Sequence, residues 1–169
     1  MDKLNKAAAL LPKGYYLKLR DAYRPLAFQE YYYKKTYKKL KRMYKTYSDR
    51  QIKKLLNSLV YPLDVDVSPH STGGAIDVNL TKDLKTGHIV KLSTKKLPKY
   101  EQNEITNKKI PKEIQKNRKI LYKAMTNAGF VNNPEEWWHY SFGDKDWAMS
   151  ENKKYAIYGK VSDKLINKL

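Results

Sequence analysis

The stretch that decides the fold is residues 64–80, DVDVSPHSTGGAIDVNL, in which a strand pattern stops at a glycine pair and then resumes. Polar and apolar residues alternate over residues 64–68 and again over residues 75–80, which predicts two strands. Asp77 falls in the second strand, on the face that carries the small and polar residues. A carboxylate in the middle of a strand is costly unless it is paired or binds a metal. Asp77 therefore indicates an ion pair or a metal site.

Two histidines complete a candidate donor set with Asp77. His70 lies just before the glycine pair, so a chain that folds back there brings it towards Asp77. His139 lies in a second unusual stretch, PEEWWHYSFGD at residues 134–144. The sequence has no cysteine, so a metal must be held by His, Asp or Glu. Two imidazoles and one carboxylate predict an open, catalytic site for one zinc ion and favour hydrolysis, whereas the alternative is a structural ion pair between His70 and Asp77.

Glu136, three residues before His139, is the candidate general base that takes a proton from water and passes it to the leaving amine. Residues three apart on a regular strand face opposite sides, so the two side chains converge only if Glu136 lies in the preceding loop or a bulge intervenes. Glu135 is the rival base. Trp137 and Trp138 are expected to wall the site and exclude water, with ordinary core packing as the alternative for one of them.

Arg24 is the candidate for stabilising negative charge opposite the metal. It lies near the end of YYLKLRDAYRP, residues 15–25, whose aromatic and alternating pattern predicts a strand. The following Pro25 keeps Arg24 extended. An extended arginine at a strand end can direct its donors at an oxyanion.

The remaining pattern predicts helices and further strands around these segments. Helical periodicity and terminal signals indicate helices at residues 3–11, 26–47, 49–59 and 111–128. Further strands are predicted in WWHYSF, residues 137–142, and YAIYG, residues 155–159. Residues 81–110 are polar and lysine-rich, which is typical of a surface excursion such as a lid or binding loop. Residues 160–169 form a basic tail, and with no repeat or linker the whole chain, residues 1–169, is expected to form one α+β domain.

The chain is strongly basic, with 35 Lys and Arg against 17 Asp and Glu and a formal net charge of +18. In the helix at residues 26–47, tyrosines repeat along one face and lysines cover the others. Such interleaving suggests binding of nucleic acid or an anionic cell-wall polymer. A tyrosine core stripe with a solvated lysine face explains the same spacing, so no specific nucleic-acid partner is expected. No apolar run is long enough for a membrane span or a secretion signal.

Four segments resemble the zinc D-alanyl-D-alanine peptidases. SPHSTGGAID, residues 68–77, matches their S-x-H-x-x-G-x-A-x-D pattern. EWWHYSFGDKDWA, residues 136–148, is similar to the E-x-W-H segment of their dipeptidase branch, the vancomycin-resistance type of D-Ala-D-Ala dipeptidase. LRDAYRP, residues 19–25, and YAIYG resemble two further segments of that branch.

The resemblance implies an α+β fold in which a central antiparallel sheet carries the zinc and helices flank it. It also implies zinc-dependent hydrolysis of the D-Ala-D-Ala bond. The residues that match the family positions are the zinc ligands His70, Asp77 and His139, the base Glu136, and Arg24, which stabilises the tetrahedral intermediate. Ser68 matches a serine that helps to hold the free amino end of the substrate.

Two departures from the dipeptidase pattern widen the expected range of substrates. Dipeptidases carry an M-G-T-x-F-D segment whose aspartate pairs with the dipeptide ammonium, whereas residues 92–97 here read LSTKKL. The DAYRP segment also begins closer to the first residue than it does in the dipeptidases. The alternatives to a dipeptidase are a D,D-carboxypeptidase or endopeptidase acting on peptidoglycan stem peptides, and a non-catalytic basic binding module. We expect a bacterial protein that is cytoplasmic as the sequence stands, or periplasmic or secreted if a signal has been removed, with no expectation for its oligomeric state.

Overall fold

The computed structural model describes residues 2–62, 67–97 and 102–161. In this part of the chain a four-stranded sheet has the order β1-β2-β4-β3, with every neighbouring pair antiparallel. The strands are β1 Tyr16–Asp21, β2 Ala75–Thr81, β3 Val131–Asn132 and β4 His139–Ser141. The α-helices are α1 Asp2–Ala9, α2 Leu26–Met43, α3 Asp49–Asn57, α4 Lys112–Asn127 and α5 Lys145–Ser150, with a 3-10 turn at Pro69–Thr72. The expected α+β class with an antiparallel sheet is confirmed.

The main core lies between the sheet and α4. All seven residues of β2 are buried, as expected for a central strand covered on both faces. Val78 and Leu80 on its apolar face belong to one cluster with Leu121 and Met125 of α4. The helix ends before Gly129, whose φ of +95° is a left-handed conformation that glycine adopts without strain. The buried apolar residues of α4, among them Leu121 and Met125, thus face this core.

A second apolar cluster joins α2 to α3. Leu40 of α2 is buried together with residues of α3, and the partly buried tyrosines Tyr33 and Tyr37 pack against them. The capping box of Ser48 and Gln51 fixes the start of α3. The tyrosine stripe thus forms core, as the helical spacing predicts, although α2 ends at Met43 and leaves Tyr47 exposed.

The described part of residues 81–110 is bound to the rest of the domain and is not the free surface excursion that the sequence suggests. The contacts that hold it come from Arg118 of α4, which is fully buried. Its guanidinium donates to the carbonyl oxygens of Leu92, Gln102 and Glu104 at 2.8, 2.7 and 3.1 Å. Burial of this cation lowers the pKa of Arg118 to about 10. Sequence periodicity missed these contacts because they join one arginine to backbone groups distant in the chain.

Three predicted strands differ from the structure, and the one predicted over residues 15–25 is shortened to β1, Tyr16–Asp21. YAIYG is not a strand, because the amides of Ile157 and Tyr158 both donate to the carbonyl of Gly143, at 2.6 and 2.8 Å, which no strand ladder allows. The strand in WWHYSF is shorter than predicted and begins at His139. Residues 64–66 of the first expected strand and residues 162–169 of the tail lie outside the described residues. Among those described, no helix has both the length and the apolarity needed to cross a membrane.

Candidate metal centre

The register of the sheet brings two candidate ligands together. β2 pairs with β4 so that Asp77 and His139 are directly opposite each other. Opposite residues of an antiparallel pair direct their side chains to the same face. His70 comes from the 3-10 turn before β2, and that turn ends at Gly73 with a left-handed φ of +73°. The chain reversal expected at the glycine pair thus brings His70 back onto the same face.

The three side chains form a compact, buried cluster. One donor atom from each residue lies within 4.8 Å of the other two. Oδ1 of Asp77 is 3.1 Å from Nδ1 of His139 and 3.3 Å from Nε2 of His70. The two imidazole rings meet edge to face, with centroids 4.8 Å apart. Two imidazoles and a carboxylate at this spacing can converge on a single ion.

The outer contacts of the histidines determine which ring nitrogen faces the cluster. Nδ1 of His70 is 2.7 Å from the carbonyl oxygen of Ala22, and a carbonyl can only accept, so this nitrogen carries the proton. Nε2 of His70 is thereby left with a lone pair on the side of Asp77. In His139 the roles are reversed, since Nδ1 faces Asp77 and Nε2 lies 3.4 Å from Oγ of Ser141. Such contacts fix the tautomer and orientation of metal-binding histidines.

Burial and charge affect the two carboxyl groups of the site differently. Burial raises the pKa of Asp77, but the contacts of its carboxylate with His139 and His70 outweigh burial and hold that pKa well below its usual range. Burial lowers the pKa of His139, but the hydrogen bond and charge of Asp77 raise it overall. For Glu136, burial raises the pKa, and the opposing charge of His139 does not cancel the effect. The two carboxyl groups therefore differ in proton affinity, as an acid–base residue beside a charged ligand requires.

Glu136 lies in the turn between β3 and β4, off the strand. Its Oε2 is 3.9 Å from Nδ1 of His139. The turn is held by the amide of Glu136, which donates to Asn133, and by the side chain of Asn132, which donates to the carbonyl of Glu136, at 3.0 and 3.2 Å. The loop position needed for Glu136 and His139 to converge is therefore present. The rival Glu135 is exposed in the wall of the same pocket.

Arg24 lies just beyond the end of β1, with its guanidinium held on two sides. Nε and one terminal nitrogen donate to Oδ2 of Asp21 at 3.1 and 2.5 Å, and the other terminal nitrogen donates to Oε1 of Gln29 at 2.7 Å. Gln29 is buried and donates in turn to the carbonyl of Tyr61 at 3.1 Å. The Arg24 amide also donates to the carbonyl of His70 at 3.0 Å, which ties this arginine to the ligand turn. Three of the five guanidinium N–H groups are thus committed, and two remain.

The two tryptophans have different surroundings. Trp137 is buried in the main core, where the guanidinium of Arg118 lies 4.9 Å from its ring centroid. The structure therefore does not bring Trp137 into the pocket wall, and the core alternative describes it. Trp138 is half-buried and does line the pocket. Ser68 also lines it, and its buried Oγ has no hydrogen-bond partner among the described residues.

A pocket of about 380 Å³ lies over the cluster. Its wall includes the expected residues His70, Asp77, His139, Glu136, Arg24 and Ser68. Sequence reasoning missed Arg20, Asp21, Phe28, Tyr32, Tyr61 and Asp146, which also line it. The motif LRDAYRP contains the first two of these, but a regular strand places adjacent residues on opposite faces, so the pattern gave no reason to select both.

Known proteins resemble this chain in sequence. Residues 2–158 match the family described as D-ala-D-ala dipeptidase, among the M15 peptidases. A D-alanyl-D-alanine dipeptidase of Synechocystis sp. is 38% identical over 103 residues, covering 56% of this chain and 42% of the relative. The enzyme of the same name from Escherichia coli K12 is 36% identical over 81 residues, covering 47% and 41%, and that from Enterococcus faecium is 34% identical over 83 residues, covering 49% and 41%. The chain thus spans less than half the length of these curated relatives.

A solved structure resembles the fold. It is a mutant of the vancomycin resistance D,D-pentapeptidase VanY from a VanB-type resistance cassette, in complex with Zn(II). The TM-score is 0.51 at 17% identity, with 92% of this chain and 75% of that chain covered. The family match in sequence extends over nearly the whole chain, and the protein therefore belongs to the D-ala-D-ala dipeptidase family of M15 peptidases.

Proposed function

We propose that the protein is a zinc-dependent peptidase that hydrolyses the D-Ala-D-Ala bond, with residues 1–169 forming one peptidase domain around the zinc. The observation that supports this most directly is the convergence of His70, Asp77 and His139 beside Glu136 at the base of one pocket. The curated relatives are named for the same substrate. A structural ion pair accounts for Asp77 and one histidine, but not for a second buried histidine and the half-buried carboxyl group of Glu136.

The donor set fits zinc. Two neutral imidazoles and one carboxylate are the protein ligands of many catalytic zinc sites, in which a fourth position stays open. The hydrogen bond from His70 to Ala22 leaves the inward nitrogen of that ring free to bind a cation. The carboxylate of Asp77 keeps its negative charge because its pKa is low. Zinc bound here would supply Lewis-acid polarisation of a carbonyl group and acidify a water molecule.

Glu136 is proposed as the general base, which accepts a proton from the attacking water and delivers it to the leaving amine. Burial raises its pKa, which makes Glu136 a stronger base towards the attacking water than an exposed glutamate. Arg24 is proposed to donate its two uncommitted N–H groups to the oxyanion that forms at the scissile carbonyl. Asp21 and Gln29 hold its guanidinium in one orientation for this purpose.

The proposed substrate is the free dipeptide D-Ala-D-Ala, with Ser68 and Trp138 as contacts in the pocket wall. A longer stem peptide of peptidoglycan is the second candidate. The rings of Phe28 and Tyr32 favour it, because both line the same pocket and both are exposed. A substrate longer than a dipeptide would find apolar surface there.

The test is the release of D-alanine by the purified, zinc-loaded protein. Activity on D-Ala-D-Ala should disappear with a chelator and return with zinc. Comparison of the dipeptide with a pentapeptide ending in D-Ala-D-Ala decides between the two substrate classes. A zinc-loaded protein that releases D-alanine from neither substrate would refute the proposed function.

A further inference from the structure

Arg20 lies in the pocket because of an irregularity in β1. Successive side chains of a strand point to opposite faces, yet both Arg20 and Asp21 line the pocket. Leu19 pairs with Val78 and Asp21 pairs with Asp77, so two steps along β1 match a single step along β2. This is a β-bulge with Arg20 as the extra residue, and bulges beside active sites redirect side chains. The bulge accounts for the presence of Arg20 beside Asp21 in the pocket wall.

The pocket is acidic although the protein as a whole is basic. Five carboxyl groups are found among its lining residues, namely Asp21, Asp77, Glu135, Glu136 and Asp146. Apart from the two histidines, the cations among the lining residues are Arg20 and Arg24. Even with a zinc ion at the three ligands, the two arginines are the lining side chains suited to pair with a carboxylate of the substrate.

Arg24 and Arg20 differ in how far their donors are already used. Arg24 forms an ion pair with Asp21 and a hydrogen bond to Gln29, and two N–H groups remain. The Arg20 guanidinium has neither a hydrogen bond nor an ion pair with any residue that the structure describes. Its contact is with Trp138, whose ring centroid lies 5.0 Å from the central carbon of the guanidinium. Stacking on an indole orients the guanidinium plane without occupying the N–H groups at its edge.

We infer that Arg20 binds the free C-terminal carboxylate of the substrate. This inference rests on the proposed function and adds a recognition site to it. The planar fork of arginine matches a carboxylate with two parallel hydrogen bonds, and both substrates under consideration end in such a group. Arg20 thereby selects peptides that end within the pocket. Trp138 serves as the platform on which Arg20 is held.

The experiment compares D-Ala-D-Ala with its C-terminal amide in four zinc-loaded proteins: wild type, Arg20→Met, Arg20→Lys and Arg50→Met. The amide lacks the negative charge but keeps the scissile bond. Wild type should prefer the free acid, and Arg20→Met should lower kcat/KM for the acid by about 10- to 100-fold, the effect of losing hydrogen bonds to a charged group. The loss should appear in KM, with little change for the amide. Arg20→Lys should retain part of the preference, because it keeps the charge without the fork.

Arg50 is the matched control, since it is an exposed arginine of α3 that does not line the pocket. Arg50→Met removes the same charge and should leave the ratio of acid to amide unchanged. An equal effect of Arg20→Met on both substrates, or no effect on either, would overturn the inference.

A binding measurement separates this inference from the proposed function. Calorimetry gives Kd for the acid and the amide with the Glu136→Gln protein, with and without Arg20→Met. A preference for the acid that depends on Arg20 supports the inference even if the wild type hydrolyses neither compound. Hydrolysis by the wild type with a preference that does not depend on Arg20 refutes the inference and leaves the proposed function standing. Absence of both hydrolysis and binding refutes both.

Discussion

The carboxylate of Glu136 and the carboxylate of Asp77 approach the same imidazole nitrogen, with Glu136 at 3.9 Å and Asp77 at 3.1 Å from Nδ1 of His139. The nearer carboxylate also contacts His70 and has a lowered pKa, whereas burial raises the pKa of the more distant one. The nearer group is therefore suited to remain a charged ligand and the more distant one to exchange a proton.

Replacement of Glu136 tests this division of roles. Glu136→Gln keeps the shape of the side chain but removes its basicity, so kcat on D-Ala-D-Ala should fall by about 10²- to 10⁴-fold. Zinc affinity, measured by competition with a chromophoric chelator, should stay close to that of the wild type. Glu135→Gln is the matched control and should have little effect on kcat, because Glu135 is exposed. A larger loss of kcat in Glu135→Gln than in Glu136→Gln would show that Glu135, and not Glu136, is the base.

The candidate site could be predicted from the sequence where its residues are local to a motif. His70 and Asp77 lie seven positions apart around a glycine pair, and Glu136 and His139 share one short stretch, so local patterns indicated them. The contribution of Arg20 could not be predicted, because it depends on a bulge created by the pairing of β1 with β2. Nor could the burial of Trp137, which Arg118 of a distant helix covers.

Zinc should stabilise the native protein through Asp77. A ligand present at about 100 times its Kd, and bound only by the folded state, adds about 2.7 kcal/mol to the free energy of unfolding. In Asp77→Ala this gain should largely disappear, because one of three ligands is missing. Thermal unfolding of both proteins with and without zinc measures the effect. Glu30→Ala is the control, since Glu30 is an exposed carboxylate of α2 outside the pocket. If zinc stabilised Asp77→Ala as much as it stabilises the wild type, the assignment of Asp77 as a ligand would be contradicted.

Gln29 should affect catalysis through Arg24. Gln29→Met removes the hydrogen bond that orients the guanidinium, and kcat should fall by about 10-fold with zinc affinity unchanged. In an Arg24→Ala background the same substitution should cost little more, because the group that it positions is gone. Gln51→Met is the control, since Gln51 caps α3 away from the pocket and its loss should alter stability without altering kcat. Additive effects of the two substitutions would show that Gln29 acts independently of Arg24.

The fold was predictable to a similar extent and for a similar reason. Helices α1 to α4 and strand β2 follow from local periodicity, and their bounds in the structure lie within four residues of those expected, whereas α5 was not predicted. YAIYG has the composition of a strand, but the glycine carbonyl that it contacts accepts two successive amides, and no ladder forms. Residues 81–110 show no periodicity in sequence, and the described part of this segment is held instead by hydrogen bonds from the buried guanidinium of Arg118. Contacts between distant segments determined these two features, which local patterns missed.

Gly74 should tolerate no side chain, because the segment after β4 and the end of the 3-10 turn pass too close to it. A Cβ at this position would lie 2.9 Å from the Phe142 carbonyl oxygen, 2.9 Å from Cβ of Asp144 and 3.0 Å from Oγ1 of Thr72. The first of these is backbone and cannot rotate away. Gly74→Ala should therefore lower the free energy of unfolding by about 1–3 kcal/mol, the usual cost of overpacking a core. Urea denaturation of the zinc-free protein measures the effect without the contribution of metal binding.

The matched control for Gly74 is Gly159→Ala, where a Cβ has no atom within 4 Å and the backbone does not require glycine. This variant should unfold within about 0.5 kcal/mol of the wild type, as exposed substitutions usually do. Since Gly74 follows the turn that carries His70, the alanine should also move that turn and weaken zinc binding in the chelator competition. Equal stability of Gly74→Ala and Gly159→Ala would mean that the strands can separate at this point, and the close packing behind the metal ligands would then not be what holds His70 in place.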